Sequence, residues 1–576
     1  MKYRWSTATP QDALAAFLAK ELKISSLLAQ CLLNRGLSEP DPILSFLEPR
    51  LKNLSDPFLL PNMKEAVDRL FAARERGESV VVFGDYDVDG VTATAILTEV
   101  LRTLGWQVNF YLPHRMEEGY GLSQSGVENC LSKYPTHLLL AVDCGSTANE
   151  AIDWLRGKGV DTLVLDHHQI SSPPPKAFAL VNPQLAAEGQ PKFTELCSAG
   201  LAFKLAHALA KRGRELSLEE ALNLDLRPLL DLVALGTIAD LVPLRGENRI
   251  LVTAGLDKLS QTKRPGLVAL KEVAQINKKV GGYEVGFQLA PRLNAAGRLE
   301  TALEALHLLL AQDSGEAMDI ALRLDAQNRE RQEIERHIAK EVFEVARSRF
   351  DSTRDYVIVE GNAAWHIGVV GIVASRILQE FYRPTIILGG DGEHWRGSGR
   401  SIEGFDLAAA LRQCDEFLLR HGGHSMAAGV SLDPSNIECF RTRLNEVAHR
   451  LLKPEQLQPV LRLDAEVQAS DLTVERIQEL EKLQQTGIGN PCVQLFVRNL
   501  SHQRPLQRIG ADKKHVKLWV TDGKTSREGV WWGAGELSLP AGKFDLAFCP
   551  QLNTYNGNTQ VQLKVLDWRP TEAAIQ

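Results

Sequence analysis

The sequence lacks the features that mark membrane, secreted and disulfide-linked proteins. No apolar run is long enough and free enough of charge to span a bilayer. Residues 1–12 contain no apolar core of a signal peptide. The eight cysteines are scattered, with no pair at metal-clip spacing, which favours a reducing compartment over a disulfide framework. We therefore expect a cytoplasmic protein with no membrane partner.

Two nucleotide-binding signatures and an overall basic charge are also missing. The chain has neither a Walker loop nor a Gly-x-Gly-x-x-Gly motif that enters a helix after a strand. Hydrolysis of nucleoside triphosphates and binding of dinucleotides are therefore poorly supported. The net charge of −7 argues against a uniformly basic nucleic-acid coat. It still permits a local basic groove, because affinity for phosphates depends on where the positive charge lies.

The length and composition indicate a globular protein of several domains. The chain has 576 residues, of which 44% are hydrophobic and 24% charged. That composition is ordinary for globular proteins, and the length exceeds what a single hydrophobic core supports. We expect about three to four domains.

The most informative stretch is 80–90. Val80–Phe83 is apolar and mostly β-branched, which predicts a buried strand of a parallel sheet. Asp85, Asp87 and Asp89 follow at alternate positions, and Gly90 then opens a predicted helix over 91–104. Carboxylates gathered at the mouth of a sheet repel one another unless a cation lies there, and Mg²⁺ or Mn²⁺ suits such oxygens. The alternative is an ordinary acidic turn, since Asp and Gly are common in turns.

The following segments repeat this strand-and-helix alternation. Further strands are predicted at 107–112, 137–142, 162–165 and 178–181, with helices at 64–76 and 147–157. The alternation predicts a parallel, doubly wound sheet. Two of these strands end in Asp143 and in Asp166, His167 and His168, so three strands deliver Asp or His at their carboxyl ends. Open α/β sheets bind their ligands at that edge.

A buried helix at 229–239 ends in Asp240, which is either a surface cap or a further metal ligand. Carboxylates with imidazole suit Mn²⁺, and two such ions close together clamp the attacking and leaving oxygens of a phosphoryl group. No Ser or Cys nucleophile competes, because the spacing places no base beside Cys144. The candidate metal-site residues are Asp85, Asp87, Asp89, Asp143, His167, His168 and Asp240.

The rest of the chain divides into five further parts. The pattern of residues 1–60 predicts short helices broken by prolines. Residues 290–298 are predicted to form a loop of small residues with two arginines. Residues 316–350 are predicted to form a long charged helix that joins two lobes. A second α/β lobe begins at 355, and its glycine-rich loops at 365–376, 395–401 and 421–429 favour phosphate binding over plain turns. Beyond 460 the chain predicts short strands and turns.

The strands at 496–530 are locally basic. They carry eight Lys or Arg against three acidic residues, with Trp519, Trp531 and Trp532 interleaved or adjacent. Basic strands with aromatic residues suit single-stranded nucleic acid, since bases stack while the backbone is held electrostatically. The alternative is a small β-barrel whose tryptophans belong to its core.

These motifs resemble those of a known family. Asp85–Gly90, Asp143–Gly145, Asp166–His168 and Asp240 are similar, in order, to the motifs of the DHH phosphoesterase superfamily. His421–His424 with 427–429 resembles the associated second domain. The 290–298 segment, the 325–332 helix and the β-rich C-terminal region resemble the single-stranded-DNA-specific exonucleases of that superfamily. The resemblance covers about residues 50 to 570.

The resemblance implies two α/β lobes, a DHH domain with a parallel sheet and a DHH-associated domain, joined by a long helix and followed by an OB-like β-barrel. The corresponding boundaries are an N-terminal helical lead-in at 1–60, a catalytic domain at 61–312, a connector helix at 313–352, a substrate-binding domain at 353–455 and a nucleic-acid-binding domain at 460–572.

The implied activity is 5′-to-3′ degradation of single-stranded DNA to 5′-mononucleotides with two Mn²⁺ or Mg²⁺ ions, in DNA repair and recombination. Asp87, Asp89, Asp143, His167 and Asp240 are the implied ligands, with Asp85 a ligand or a neighbour of one. His168 is implied to contact the scissile phosphate. The implied DNA-holding residues are Arg292, Arg298, Arg376, Ser398, Arg400 and His424. Many members have His where this chain has Phe83, which leaves one metal short of a ligand unless Asp85 or water supplies it.

Two other functions are compatible with parts of this pattern. A phosphodiesterase for short oligonucleotides or cyclic dinucleotides uses the same chemistry but has no need of the basic C-terminal region. A non-catalytic replication scaffold predicts missing acidic or histidine positions, and none is missing. The expected partner is single-stranded DNA, with a single-stranded-DNA-binding protein or a helicase as candidate protein partners.

Overall fold

The chain forms two compact units. A computed structural model describes residues 2–571, except 116, 120, 187–192, 194, 391 and 538–541. The first unit comprises Asp41–Arg329 and Leu483–Pro491, and the second comprises Met1–Pro40, Glu330–Lys482 and Cys492–Gln576. Among the described residues, no helix combines the length and the apolar character needed to cross a membrane.

The first unit is built on a parallel sheet of five strands, which confirms the predicted α/β class. In spatial order the strands are Val108–Tyr111, Val80–Gly84, Leu138–Val142, Asp161–Leu165 and Ala179–Val181. The central strands are buried throughout because Val and Leu occupy both faces of each strand. The chain adds Val108–Tyr111 on one side of Val80–Gly84 and Leu138–Val142 on the other. Such a reversal opens a crevice at the carboxyl ends of the strands, where α/β proteins bind ligands.

Helices cover the sheet and complete the hydrophobic core of the first unit. Their bounds are Pro40–Leu47, Met63–Glu75, Val88–Thr103, Gln124–Lys133, Asn149–Gly157, Ser198–Glu215, Glu219–Asn223, Leu230–Ala239, Gly246–Ser260, Pro265–Val273, Gly282–Glu284, the π-helix Val285–Leu289, Ala290–Leu299 and Leu303–Leu310.

One expectation in this unit is wrong. The 290–298 segment is not a loop but the helix Ala290–Leu299. Its alanines and leucines are strong helix formers, and Pro291 lies in the first turn, where the missing N–H has no helical partner to lose.

The second unit contains a mixed sheet of five strands. Their order is Arg420–Gly423, Ala427–Leu432, Trp395–Arg400, Thr385–Gly389 and Ile358–Gly361; the last pair is parallel and the others are antiparallel. The accompanying helices are Val370–Phe381, Leu407–Arg412 and Ile437–Leu451.

Two of the predicted glycine-rich loops are therefore strands. A Cβ at Gly397 would lie 2.7 Å from the Ile387 carbonyl oxygen, and one at Gly399 would lie 2.6 Å from Leu407 Cδ2. The glycines are needed for close packing of the sheet, as well as for any approach to a ligand.

The C-terminal part of the second unit is a closed barrel, as the resemblance implied. Its strands are Leu495–His502, Phe544–Tyr555, Asn558–Pro570, Ser526–Trp531 and His515–Thr521, and the last pairs back to the first through Ser501 and Thr521. The short strands Gln507–Ile509 and Ala465–Glu466 extend the sheet, and the helix Val474–Leu480 packs against it.

The N-terminal residues also belong to the second unit. The helices Asp12–Leu22 and Ser26–Leu33 are preceded by a strand, Arg4–Thr7, which pairs in parallel with Val460–Leu463. Trp5 packs edge-on against Phe496, with ring centroids 5.8 Å apart. The sequence pattern predicts only helices here, because the partner strand lies far along the chain.

A helix of 36 residues, Ser314–Arg349, runs from the first unit into the second, and the division falls between Arg329 and Glu330. The long charged helix predicted from the sequence is thereby confirmed.

We predict that Gly90→Ala destabilises the protein. A Cβ at this position would lie 2.6 Å from the Asp85 carbonyl oxygen, which belongs to the backbone and cannot swing aside. Overpacking of this kind costs about 1–3 kcal/mol, so the melting temperature of the full chain should fall. Gly157→Ala is the matched control, because a Cβ there meets nothing within 4 Å. Equal melting temperatures for the two variants would contradict the prediction.

Candidate active site

The carboxylates predicted from the sequence do meet at the crevice of the first sheet. Asp85, Asp87 and Asp89 follow the strand Val80–Gly84, and Asp143 follows its neighbour Leu138–Val142. Asp87 caps the next helix, since its Oδ1 accepts the N–H groups of Asp89 at 2.9 Å and Gly90 at 3.2 Å. Asp143 has a φ of 64°, a left-handed conformation that Asp tolerates better than most residues.

His167 faces Asp143, Asp240 and Asp89 without a hydrogen bond to any of them. Its Nε2 lies 3.4 Å from Asp143 Oδ1, 3.6 Å from Asp240 Oδ2 and 3.9 Å from Asp89 Oδ2. Within the described part of the chain, His167 Nε2, Asp240 Oδ2 and Asp85 Oδ1 are buried and have no hydrogen-bond partner. Buried polar atoms are almost always paired. Unpaired lone pairs gathered in one crevice therefore indicate a ligand set.

The start of the helix Ser198–Glu215 holds this arrangement in place. The N–H groups of Ser198 and Ala199 donate to the two oxygens of Asp89, at 2.7 and 2.8 Å. The Ser198 hydroxyl donates to Asp143 Oδ1 at 2.8 Å. The N-terminal end of a helix favours a carboxylate. Ser198 is a site residue that the sequence pattern does not single out, because its partner Asp143 lies far along the chain.

Burial and mutual repulsion dominate the electrostatics of the cluster. Burial raises the pKa of Asp85, Asp89 and Asp143, and neighbouring carboxylates add to the effect. Burial, with Asp89 and Asp87, raises the pKa of Asp240 to about 9. Burial lowers the pKa of His167, which favours the neutral imidazole that binds metals. A cation bound among these carboxylates would stabilise their ionised forms.

Asp166 and His168 behave differently from the cluster. Asp166 Oδ1 accepts the N–H groups of His167 and His168 and lies 2.8 Å from His168 Nδ1, while Oδ2 accepts the N–H of Ser146 at 3.0 Å. Burial alone would raise the pKa of Asp166, but these hydrogen bonds hold it well below its usual range. Burial alone would lower the pKa of His168, yet Asp166 raises it to about 9. Asp166 thus fixes the ring of His168.

The donor set fits divalent cations. Ligand atoms lie within 4.8 Å of one another in three groups: Asp85, Asp87 and Asp143; Asp89, Cys197 and Asp240; and Asp143, Asp166, His167 and His168. Carboxylate and imidazole donors suit Mn²⁺ and Mg²⁺. Burial raises the pKa of Cys197 far above its usual value, so that residue stays a thiol. Phe83, the departure from the family pattern, is buried and stacks on Tyr111 at 5.4 Å.

The helix Ala290–Leu299 brings Arg298 against the acidic turn. Asn294 Oδ1 accepts the N–H of Val88 at 3.2 Å, and a Cβ on Gly297 would lie 2.8 Å from the Tyr86 carbonyl oxygen. Arg292, also predicted to hold DNA, is instead engaged by Asp325, whose Oδ1 lies 2.9 Å from Arg292 Nε.

The other predicted DNA-holding residues lie in the second unit, where two of them are in contact. Arg400 Nη1 donates to Ser398 Oγ at 2.7 Å, and a Cβ on Gly371 would lie 3.0 Å from that oxygen. Gly371 therefore keeps the space above the pair open. Arg376 Nε lies 2.6 Å from Glu335 Oε1. His424 is exposed in the turn between two strands.

Two of the three tryptophans of the basic region are covered. Trp531 belongs to the barrel core, and the guanidinium of Arg504 lies 3.4 Å from the centroid of the Trp519 ring. Trp532 is 56% exposed and meets His515 edge-on. Trp531 therefore fits the interpretation of a barrel-core residue, whereas Trp532 is accessible, as stacking on a base would require.

Comparisons with known proteins agree with this geometry. Residues 79–237 match the DHH family N-terminal domain, 354–450 the DHHA1 domain and 463–567 the RecJ OB domain. The chain is 37% identical over 577 residues to the single-stranded-DNA-specific exonuclease RecJ of Bacillus subtilis, covering 98% of this chain and 71% of that protein. It is 34% identical over 539 residues to RecJ of Escherichia coli, covering 90% of this chain and 92% of that protein.

A solved structure shows the same architecture. The crystal structure of RecJ from Thermus thermophilus in complex with Mn²⁺ matches with a TM-score of 0.85 at 31% identity. The match covers 99% of this chain and 80% of that one. A second structure of that protein, in complex with Mg²⁺, matches with a TM-score of 0.78.

The parallel sheet, its acidic crevice and the associated second domain define a phosphoesterase of the DHH class. The barrel and the similarity over nearly the whole chain narrow the assignment further. The chain belongs to the RecJ family.

We predict that Mn²⁺ stabilises the folded protein by binding the carboxylate cluster. Ligand at 100 times its dissociation constant adds about 2.7 kcal/mol to the free energy of unfolding, so the melting temperature should rise with Mn²⁺ and fall again with a chelator. Asp143→Asn removes a charge shared by two of the ligand groups and should abolish most of the rise.

Asp153→Asn is the matched control, because Asp153 is an exposed helix residue paired with Arg156. The same rise in melting temperature for wild type and Asp143→Asn would contradict the assignment of Asp143 as a ligand.

Proposed function

We propose that this chain is a metal-dependent exonuclease that degrades single-stranded DNA. The observation that carries the proposal is the convergence of buried, unpaired carboxylate and imidazole atoms at the crevice of the first sheet. Membership of the RecJ family supports the substrate class, since its relatives are named as single-stranded-DNA-specific exonucleases. The crystal structures with Mn²⁺ and Mg²⁺ support those ions as cofactors.

In this proposal the six ligands of the two ions are Asp85, Asp87, Asp89, Asp143, His167 and Asp240. When bound, divalent ions supply positive charge to the phosphate oxygens and make water a better nucleophile near neutral pH. The protein contributes a fixed geometry: the amides of Ser198 and Ala199 hold Asp89, and the Ser198 hydroxyl holds Asp143.

Other residues of the predicted set would orient the DNA. His168, fixed by Asp166, donates a hydrogen bond to the scissile phosphate. Arg298, Arg376, Ser398, Arg400 and His424 hold the phosphates of the strand, with Arg292 the weakest member of the predicted set because Asp325 already engages it. Arginine donors suit phosphate, since one guanidinium can bind two oxygens at once.

The finer parts of the proposal concern polarity, partners and place. We assign 5′-to-3′ digestion that releases 5′-mononucleotides, in DNA repair and recombination. A single-stranded-DNA-binding protein or a helicase would supply the strand. Action in the cytoplasm is consistent with a DNA substrate and with eight free cysteines. A phosphodiesterase for short oligonucleotides or cyclic dinucleotides would share the chemistry, but the barrel with its exposed Trp532 favours a long strand.

The polarity and the chemistry can be tested together. With Mn²⁺, a long single strand labelled at its 5′ end should release the label early as a mononucleotide, and a blunt duplex should be spared. Asp143→Ala should abolish cleavage while leaving binding of the strand largely unchanged, because Asp143 belongs to the ligand groups. Asp153→Ala is the control. Early release of the 3′ label would overturn the polarity, and cleavage of dinucleotides alone would favour the small-substrate alternative.

We predict that Trp532→Ala weakens capture of long strands. Loss of one aromatic stacking partner costs about 1–3 kcal/mol per base, so KM for a long strand should rise roughly five- to 150-fold at unchanged kcat. Hydrolysis of a dinucleotide should not change. Phe17→Ala, at another exposed aromatic residue of the second unit, is the control. Equal losses on long and short substrates would assign Trp532 a structural role.

A further inference from the structure

Two stacked aromatic rings are exposed on the first unit. Tyr283 and Phe287 expose 63% and 71% of their surface, with ring centroids 5.1 Å apart and planes inclined by 28°. A single exposed apolar residue is ordinary, but contiguous exposed apolar surface marks a binding site. The rings hold each other in a fixed orientation, so they present a preformed flat surface.

The backbone that carries the two rings is unusual. They lie on the short helix Gly282–Glu284 and the π-helix Val285–Leu289, which lead directly into the helix Ala290–Leu299 that carries Arg298. Single π-helical turns occur frequently at functional sites. A Cβ on Gly286, between the rings, would meet nothing within 4 Å, so the surface beside Phe287 is open.

Two further exposed apolar residues lie on segments that neighbour the one carrying the rings. Leu241 and Ile488 expose 69% and 54% of their surface. The Leu244 N–H donates to the Ile488 carbonyl oxygen at 2.7 Å, and a Cβ on Gly282 would lie 3.8 Å from the Thr486 carbonyl oxygen. The segments 241–244, 282–287 and 486–488 therefore adjoin one another. We call the surface of Leu241, Tyr283, Phe287 and Ile488 the aromatic ledge.

The chain links the ledge directly to the carboxylate cluster. Leu241 directly follows Asp240, whose Oδ2 lies 3.6 Å from His167 Nε2. Leu241 has a φ of 59°, a left-handed conformation that is strained for a leucine, and strain of this kind clusters at functional sites. The helix Leu230–Ala239, which ends at Asp240, also contacts the π-helix.

We propose that the aromatic ledge is a base-stacking site for the strand whose phosphates pass the carboxylate cluster. This rests on the proposed function. Aromatic faces stack on any base, which suits an enzyme that must pass every base of its substrate. Lys278 and Lys279 lie near in sequence. Lys278 pairs with the buried Glu284, whereas Lys279 forms an exposed ion pair with Asp257. The exposed pair is weak enough for a DNA phosphate to replace the carboxylate of Asp257.

The occupant is a nucleobase because the ledge continues into the phosphodiester-cleaving site through Asp240 and Leu241. A strand whose phosphate lies at the cluster has bases on both sides of that phosphate, and these bases need an apolar surface once they are unstacked. If a protein docked on the ledge, the unstacked bases would have no such surface. The test distinguishes a docked protein from a bound base.

The test uses the full chain with Mn²⁺ and the double variant Tyr283→Ala, Phe287→Ala. The substrates are 5′-phosphorylated single strands, one ordinary and the others each with one abasic residue near the 5′ end. For the ordinary strand, KM of the variant should rise about tenfold or more with kcat nearly unchanged. For wild type, one of the abasic strands should have a KM raised by a similar factor. For the variant, the same abasic strand should have the KM of the ordinary strand, because both changes remove the same contact.

Three measurements keep the test decisive. Tyr283→Phe with Phe287→Tyr should retain wild-type KM, and Phe178→Ala, at another exposed aromatic residue of this unit, should change nothing. An unchanged KM for the double alanine variant, or the same abasic penalty in wild type and variant, would overturn the proposal and leave a protein as the occupant. Failure of the proposed function is a separate result, because wild type would then hydrolyse no strand with Mn²⁺.

Discussion

The repulsion among buried carboxylates at one edge of a parallel sheet is the constraint on which the site depends. Asp85, Asp89 and Asp143 lie in surroundings that disfavour their charged forms. Buried charge is costly unless it is paired, so the fold must hold these groups together against their repulsion. It does so with the strand ends and with the start of the helix Ser198–Glu215. A cation bound among these groups would offset the cost of ionising them, and this makes a cation the natural complement of the site.

The two kinds of acidic group in the site follow from opposite surroundings. Asp240 accepts no hydrogen bond at its Oδ2 within the described residues, and its pKa is raised to about 9. Asp166 accepts several, and its pKa is lowered. Groups whose surroundings push their pKa values apart have different roles. The surroundings of Asp240 therefore fit its proposed role as a ligand, whereas Asp166 orients the ring of His168.

Sequence reasoning succeeds where the signal is local and fails where the partner is distant. The five parallel strands and the convergence of Asp85, Asp143 and His167 are predictable, because apolar runs mark strands and parallel strands end at one edge. The proline, asparagine and glycine of 290–298 are typical of loops, but its alanines and its packing on Tyr86 make it a helix. The strand Arg4–Thr7 and the contact of Ser198 with Asp143 have no local signal, because each depends on a residue far along the chain.

The long helix bears on which arginines can bind phosphate. Asp325 is buried between Arg292 and Arg329 in the first unit, and Glu335 between Arg331 and Arg376 in the second. Removing one partner from a buried ion pair is costly, so these carboxylates compete with DNA for their arginines.

Arg292 is mostly covered, and its Nε and Nη1 donate to oxygens of Asp325 and Gln288. Arg376 exposes 47% of its side chain and engages Glu335 through Nε. Because a guanidinium has five donors, Arg376 can hold Glu335 and a phosphate together, whereas Arg292 serves chiefly to hold its helix.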